Sequence, residues 1–144
     1  MIYTPLTKKA LQICFEAHKE QKDKSNIPYV FHPFMVAKDM NDEDCCVVAL
    51  LHDVIEDTNI TLNDLKQQGF NERQLQALQL LKHDDDIEYF EYIKQIKENK
   101  IAKKVKLADL AHNSDLTRFD IIAEKDLKRQ AKYLKAINIL KDEI

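Results

Sequence analysis

One glycine, Gly69, and three prolines among 144 residues leave this chain little material for the tight turns that join short β-strands. Leu, Ala, Lys, Gln and Glu are abundant instead, and these residues favour helix. No stretch alternates apolar and polar residues as a half-buried strand does. The expected fold is therefore all-α, with seven to eight helices. Nothing in the composition divides the chain, so residues 1–144 are expected to form one domain, long enough to bury roughly 70% of its unfolded surface.

The helices can be traced by their ends and by apolar spacing. Thr4 is expected to cap the first, with Pro5 at its first position and Leu6, Ala10, Ile13 and Ala17 on one buried face. A loop over Lys22–Pro28 precedes a second helix, expected after the His32-Pro33 step. Asn41 or Asp42 can cap a third, whose centre, Cys45–Leu51, is apolar nearly all round and belongs in the core. Thr61-Leu62-Asn63-Asp64 resembles a capping box and opens a short helix ending near Gly69. Asn71 can cap the next, with Leu75, Leu78 and Leu81 inward. Two more are expected from about Asp86 and Lys100. A last one is expected from about Glu124, with Leu127, Ala131, Leu134 and Leu140 facing the core.

Charge and composition narrow the function. A net charge of −3 argues against general nucleic-acid binding, which needs a basic field. The longest apolar run, Cys45–Leu51, is far shorter than the roughly 20 residues of a membrane span, and the N-terminus shows no signal pattern. Three cysteines in apolar surroundings form no disulfide framework and point to a reduced, cytoplasmic protein.

Chemistry concentrates in three places. His52-Asp53 closes the most apolar helix and is followed by Glu56 and Asp57, one helical turn on. Burying such charge is costly, and a divalent cation would balance it; a charged helix end with a satisfied histidine is the simpler alternative. His32 stands among apolar residues, where a histidine can equally be a core residue. Lys106, Asp109 and Asn113 share one helical face, and the apolar neighbours of Asp109 turn it inward. A second His-Asp pair, His83-Asp84, is followed by Asp85-Asp86, which read as an exposed loop and helix start; no acidic pair follows one turn on, and His83 is expected to have no functional role.

Together these segments resemble the HD superfamily, most closely the hydrolase domain of the RelA/SpoT type and its small single-domain relatives. The resemblance rests on Ala17-His18…Gln21, Pro28-Tyr29…His32-Pro33, Ala49-Leu50-Leu51-His52-Asp53…Glu56-Asp57-Thr58 and Lys106-Leu107-Ala108-Asp109…Asn113, in that order over about two-thirds of the chain. It implies a metal-dependent phosphohydrolase that removes pyrophosphate from the 3′ position of guanosine 3′,5′-bis-diphosphate or a related nucleotide. His32, His52, Asp53 and Asp109 would hold one Mn²⁺, and Glu56 and Asp57 would handle water and the leaving group. Lys24, Ser25 and Asn113 match positions that contact the nucleotide. Lys106 could add positive charge there, or stand as an exposed helix lysine. His18 and His112 are assigned packing and hydrogen-bonding roles. Other phosphorylated small molecules, or nucleotide sensing without turnover, are the alternatives.

Two positions depart from the family pattern. Asp23 and Asp115 stand where arginines are frequent, which implies weakened recognition of guanine. The 144 residues also show no counterpart of the synthetase and regulatory regions of the long family members, and they leave the oligomeric state open.

Overall fold

The computed structural model describes residues 1–142. Among them are eight helices and no strand beyond an isolated bridge between Lys22 and Pro28. The helices are α1 (Pro5–His18), α2 (Phe31–Ala37), α3 (Glu43–Asp57), α4 (Leu62–Gln67), α5 (Glu72–Leu81), α6 (Tyr89–Lys97), α7 (Lys100–Asn113) and α8 (Glu124–Leu140). None is long and apolar enough to cross a membrane.

Helix α3 is the axis. Every residue from Cys45 to Leu51 is buried, with α1, α2, α5 and α7 packed around it. Asp42 caps it by accepting from the Cys45 N–H at 2.8 Å. Its other end is set by Thr58, whose hydroxyl and N–H both donate to the Val54 carbonyl, at 2.7 and 3.1 Å. Asp44, in the first turn, accepts from Arg73, Asn71 and Gln74, which fastens the start of α5 to α3.

Several local expectations hold. Thr4 caps α1, Asn71 caps α5, and Thr61 and Asp64 bond reciprocally at the start of α4. Gly69, just past α4, has φ +102°, a conformation that costs glycine little. Others shift. The buried centre of α1 is Thr7, Ala10, Cys14 and His18, with Leu6, Ile13 and Ala17 at its margins. Helix α2 begins at Phe31, so His32 and Pro33 lie inside its first turn. Glu88, whose carboxylate accepts from the N–H groups of Phe90 and Glu91, starts α6 later than Asp86.

The last helix is turned from its expected orientation. Leu127, Ala131 and Leu134 are exposed; Asp126, Ala136 and Leu140 are buried, with Tyr133 and Ile137 partly so. Two stripes of helical spacing run along α8, and its packing on α6 and α7 selects the one carrying Asp126 and Tyr133. The polar members of that stripe form a wall of the cleft described below.

Leu50→Ala should cost about 2–5 kcal/mol by urea denaturation, as expected for a cavity in a packed core. Leu127→Ser and Leu134→Ser should each cost no more than about 0.5 kcal/mol. Large losses at the latter two would restore the inward-facing arrangement.

Candidate metal centre and substrate cleft

Three helices bring four ligand-bearing side chains to one point. His32 comes from the first turn of α2, His52 and Asp53 from the C-terminal half of α3, and Asp109 from α7. One nitrogen or oxygen from each lies within 4.8 Å of the others. His32 Nε2 is 2.8 Å from Asp109 Oδ1 and 3.6 Å from Asp53 Oδ2. His52 Nε2 is 3.2 Å from Asp53 Oδ2 and 3.5 Å from Asp109 Oδ1. Neighbouring donors held at about 2.1 Å from a first-row cation stand roughly 3.0–3.4 Å apart, so this spacing suits a coordination shell.

His52 makes the stronger case for a cation. Its Nδ1 donates to the Ala49 carbonyl at 2.6 Å, which turns Nε2 toward the carboxylates. Nε2 is buried there without an aligned hydrogen bond. Positive charge is favoured at this point in any form. Burial alone would lower the His52 pKa, but Asp53 and Asp109 outweigh it and hold the imidazole well above its ordinary 6.5. Burial likewise raises Asp53 and Asp109, yet His52 brings Asp53 down to about 2, and Lys106 with the two histidines holds Asp109 well below the usual range. Helix α3 also ends on Glu56 and Asp57 with no basic residue in its last turn, an arrangement that opposes the helix dipole. Two imidazoles and two carboxylates are a donor set for a divalent first-row metal.

The side chains of this candidate centre are braced from behind. Tyr29 donates its hydroxyl to Asp53 Oδ2 at 2.7 Å. Asn113 Nδ2 donates to Asp109 Oδ1 at 3.2 Å. With His32 Nε2 facing the centre, its Nδ1 carries the proton and His112 Nδ1 accepts it at 2.7 Å. His112 suits an acceptor, because burial, His32 and Arg118 all lower its pKa and keep it neutral. Lys106 is no exposed lysine. Its side chain is only 14% exposed, and Nζ donates to Asp109 Oδ2 at 2.9 Å and lies 5.4 Å from the Tyr92 ring centroid. Its charge is committed to Asp109.

Glu56 and Asp57 part company. Because α3 continues to Asp57, they lie one turn beyond His52 and Asp53. Glu56 lines a cavity of about 220 Å³ with His32, His52, Asp53 and Asp109, while Asp57 lies outside that lining. The Glu56 carboxyl is raised by burial and by Asp57 and Asp53, offset in part by the His83 N–H that it accepts at 3.3 Å. His83 lies deeper than the acids that follow it. Asp84–Asp86 are exposed as a loop should be, but the His83 ring is partly buried, 4.5 Å from the Tyr92 ring, and lines the same cavity. Its Nε2 bonds the Ile87 carbonyl at 2.8 Å, a contact made within the loop.

A second cleft, of about 300 Å³, shares Tyr29, His32, Asn113 and Tyr133 with the metal cavity. Lys24, Ser25 and Asn113 all line it, so the structure brings these three together. The two departures from the family pattern take on different meanings here. Asp115 is exposed, lies outside both linings, and accepts from the N–H and hydroxyl of Thr117 at 2.9 and 2.6 Å. Asp23 is neutralised: Arg118 Nη1 donates to its Oδ2 at 2.9 Å. No local sequence signal marks Arg118, because its partner lies 95 positions away.

If the centre holds a divalent cation, His52→Ala and Asp109→Ala should each abolish its tight binding in titration calorimetry, whereas His83→Ala should keep it. Saturating metal should stabilise the wild type by about 2.7 kcal/mol at a hundredfold excess over Kd. Unchanged affinity in the Asp109 variant would remove that residue from the centre.

No family model matches the chain. A guanosine-3′,5′-bis(diphosphate) 3′-pyrophosphohydrolase of Aquifex aeolicus is 39% identical over 69 residues, which are 45% of this chain and 10% of that protein. One of the same description from Borreliella burgdorferi is 34% identical over 122 residues, 73% of this chain and 18% of its own length. The bifunctional (p)ppGpp synthase/hydrolase SpoT of Escherichia coli is 41% identical over 64 residues, 42% of this chain and 9% of its own. The chain thus spans less than a fifth of these relatives. A solved structure, described as a metazoan ortholog of SpoT that hydrolyses ppGpp, superposes with a TM-score of 0.76 at 25% identity, over 98% of this chain and 88% of that one. Likeness in fold thus extends over nearly the whole chain, and the chain is an HD domain of the RelA/SpoT type.

Proposed function

We propose that this domain is a Mn²⁺-dependent pyrophosphohydrolase acting at the 3′ position of guanosine 3′,5′-bis-diphosphate or a closely related nucleotide. The observation that carries this reading is the shared lining of two neighbouring cavities. Glu56 and the four ligand residues line one, Lys24, Ser25 and Asn113 line the other, and Tyr29, His32, Asn113 and Tyr133 belong to both. A substrate with a pyrophosphate at one end and a nucleoside at the other has a chemically suitable lining for each. The names of the relatives and of the structural neighbour support the same substrate. Three free, buried cysteines support a reducing compartment such as the cytoplasm.

His32, His52, Asp53 and Asp109 would hold the cation. When bound, it supplies a Lewis acid that acidifies water and neutralises charge on a phosphoryl oxygen. Glu56 would accept the proton of the attacking water, and its raised pKa keeps that proton available for transfer. Water attacks the phosphorus bonded to O3′, that P–O bond breaks, and O3′ leaves with a proton. Asp57 assists through its charge, which helps to raise the Glu56 carboxyl. Lys106, Tyr29 and His112 hold the ligand side chains in place. Lys24 and Ser25 would contact the nucleotide, and Asn113 would sit beside its sugar. Nucleotide sensing without turnover is disfavoured, because it gives Glu56 no task in the metal cavity.

A panel of 3′-pyrophosphorylated nucleotides and other phosphorylated metabolites, assayed with Mn²⁺ and product identification, tests the reading. Release of pyrophosphate from guanosine 3′,5′-bis-diphosphate is the expected result, and turnover confined to unrelated phosphate esters would overturn it. Glu56→Gln should bind metal normally yet lose about 10²-fold or more in kcat, since an amide takes no proton from water. Near-normal turnover in that variant would transfer the role to Asp57.

A further inference from the structure

The cleft beside the metal cavity contains a guanidinium held by an acid from a distant part of the chain. Arg118 lies beyond the end of α7, and Asp23 lies in the loop between α1 and α2. Their side chains are 23% and 14% exposed and meet at 2.9 Å. Asp23 is itself fixed, since its Oδ1 accepts the N–H groups of Ser25 and Ile27 at 2.8 and 3.0 Å. The pair thus ties together two loops that both line the cleft. Arg118 Nε is buried and without a hydrogen-bond partner, so the guanidinium keeps a donor unused.

The surroundings indicate what this group can recognise. Tyr29, Leu116, Phe119 and Tyr133 line the same cleft and supply apolar and aromatic surface. Asp23 already balances the Arg118 charge, and Asp126 lies 3.3 Å from Arg129, so both arginines are paired. Lys22 and Lys24 are the exposed cations of the loop. A charge-compensated guanidinium between apolar walls suits a neutral planar ring better than a phosphate, because it offers a face for stacking and donors for ring acceptors. Resting on the nucleotide-hydrolase reading, we propose that Arg118 seats the substrate's nucleobase and that Asp23 is its positioning residue. Asp23 is then a support for base recognition, and the weakened guanine binding expected from its charge does not follow.

Calorimetric titration of the Mn²⁺-loaded protein with GDP and with ribose 5-phosphate, at fixed free metal, separates the base from its phosphate. The wild type should bind GDP more tightly than ribose 5-phosphate. Arg118→Ala should weaken GDP about three- to thirtyfold and leave ribose 5-phosphate unchanged. Arg118→Lys keeps a cation for Asp23 but loses the plane, and should weaken GDP similarly without lowering Tm. Asp23→Arg should bind GDP poorly, and combining it with Arg118→Asp should recover part of the loss. Equal GDP affinity in wild type and both Arg118 variants would overturn the proposal, as would a wild type that does not distinguish GDP from ribose 5-phosphate. Arg118-dependent GDP binding without turnover of guanosine 3′,5′-bis-diphosphate would sink the hydrolase reading and leave this one standing. Turnover with Arg118-independent GDP binding would do the reverse.

Discussion

Asp53 and Asp109 are carboxylates with little access to water, and the structure around them is organised by the need to balance their charge. Uncompensated, a buried carboxylate is among the most costly groups a fold can carry. Lys106 meets one oxygen of Asp109, and Tyr29 donates to Asp53. The imidazoles of His32 and His52 close the remaining side. Two carboxylates facing two imidazoles, with one imidazole nitrogen unpartnered, leave an arrangement that a divalent cation completes.

The same constraint explains why α3 is so apolar and so tightly enclosed. A metal site tolerates little displacement of its donors, and packing on all sides gives α3 few ways to move. Thr58 ends the helix just after Glu56 and Asp57, leaving those acids at the edge of the core. Glu56 therefore lines the cavity while keeping access to solvent.

What could be read from the sequence was local or ordered. Caps at Thr4, Thr61 and Asn71 are legible because each bonds within three residues of itself. The run Cys45–Leu51 declares its burial because no face of it is polar. The four residues of the candidate centre were legible through their motifs, although neither His32 nor the His52-Asp53 pair distinguishes itself alone. His83 shows the limit of that reading. Its neighbours are exposed acids, and only the packing of α6 brings its ring against Tyr92. In α8 both stripes have helical periodicity, and hydrophobicity alone selects the wrong one.

The helical class, most helix boundaries and the identity of the residues that converge on the centre follow from propensity, capping and motif order, and so can be read along the chain. How their charges are shared emerges only on folding. The tertiary structure commits Lys106 to Asp109, gives Glu56 and Asp57 different surroundings, and pairs Asp23 with Arg118. The reason is that a charge acts through space, falling off with distance and shielded by water. The sign of a residue is written at its position in the chain, but its partner is found only when the chain is folded.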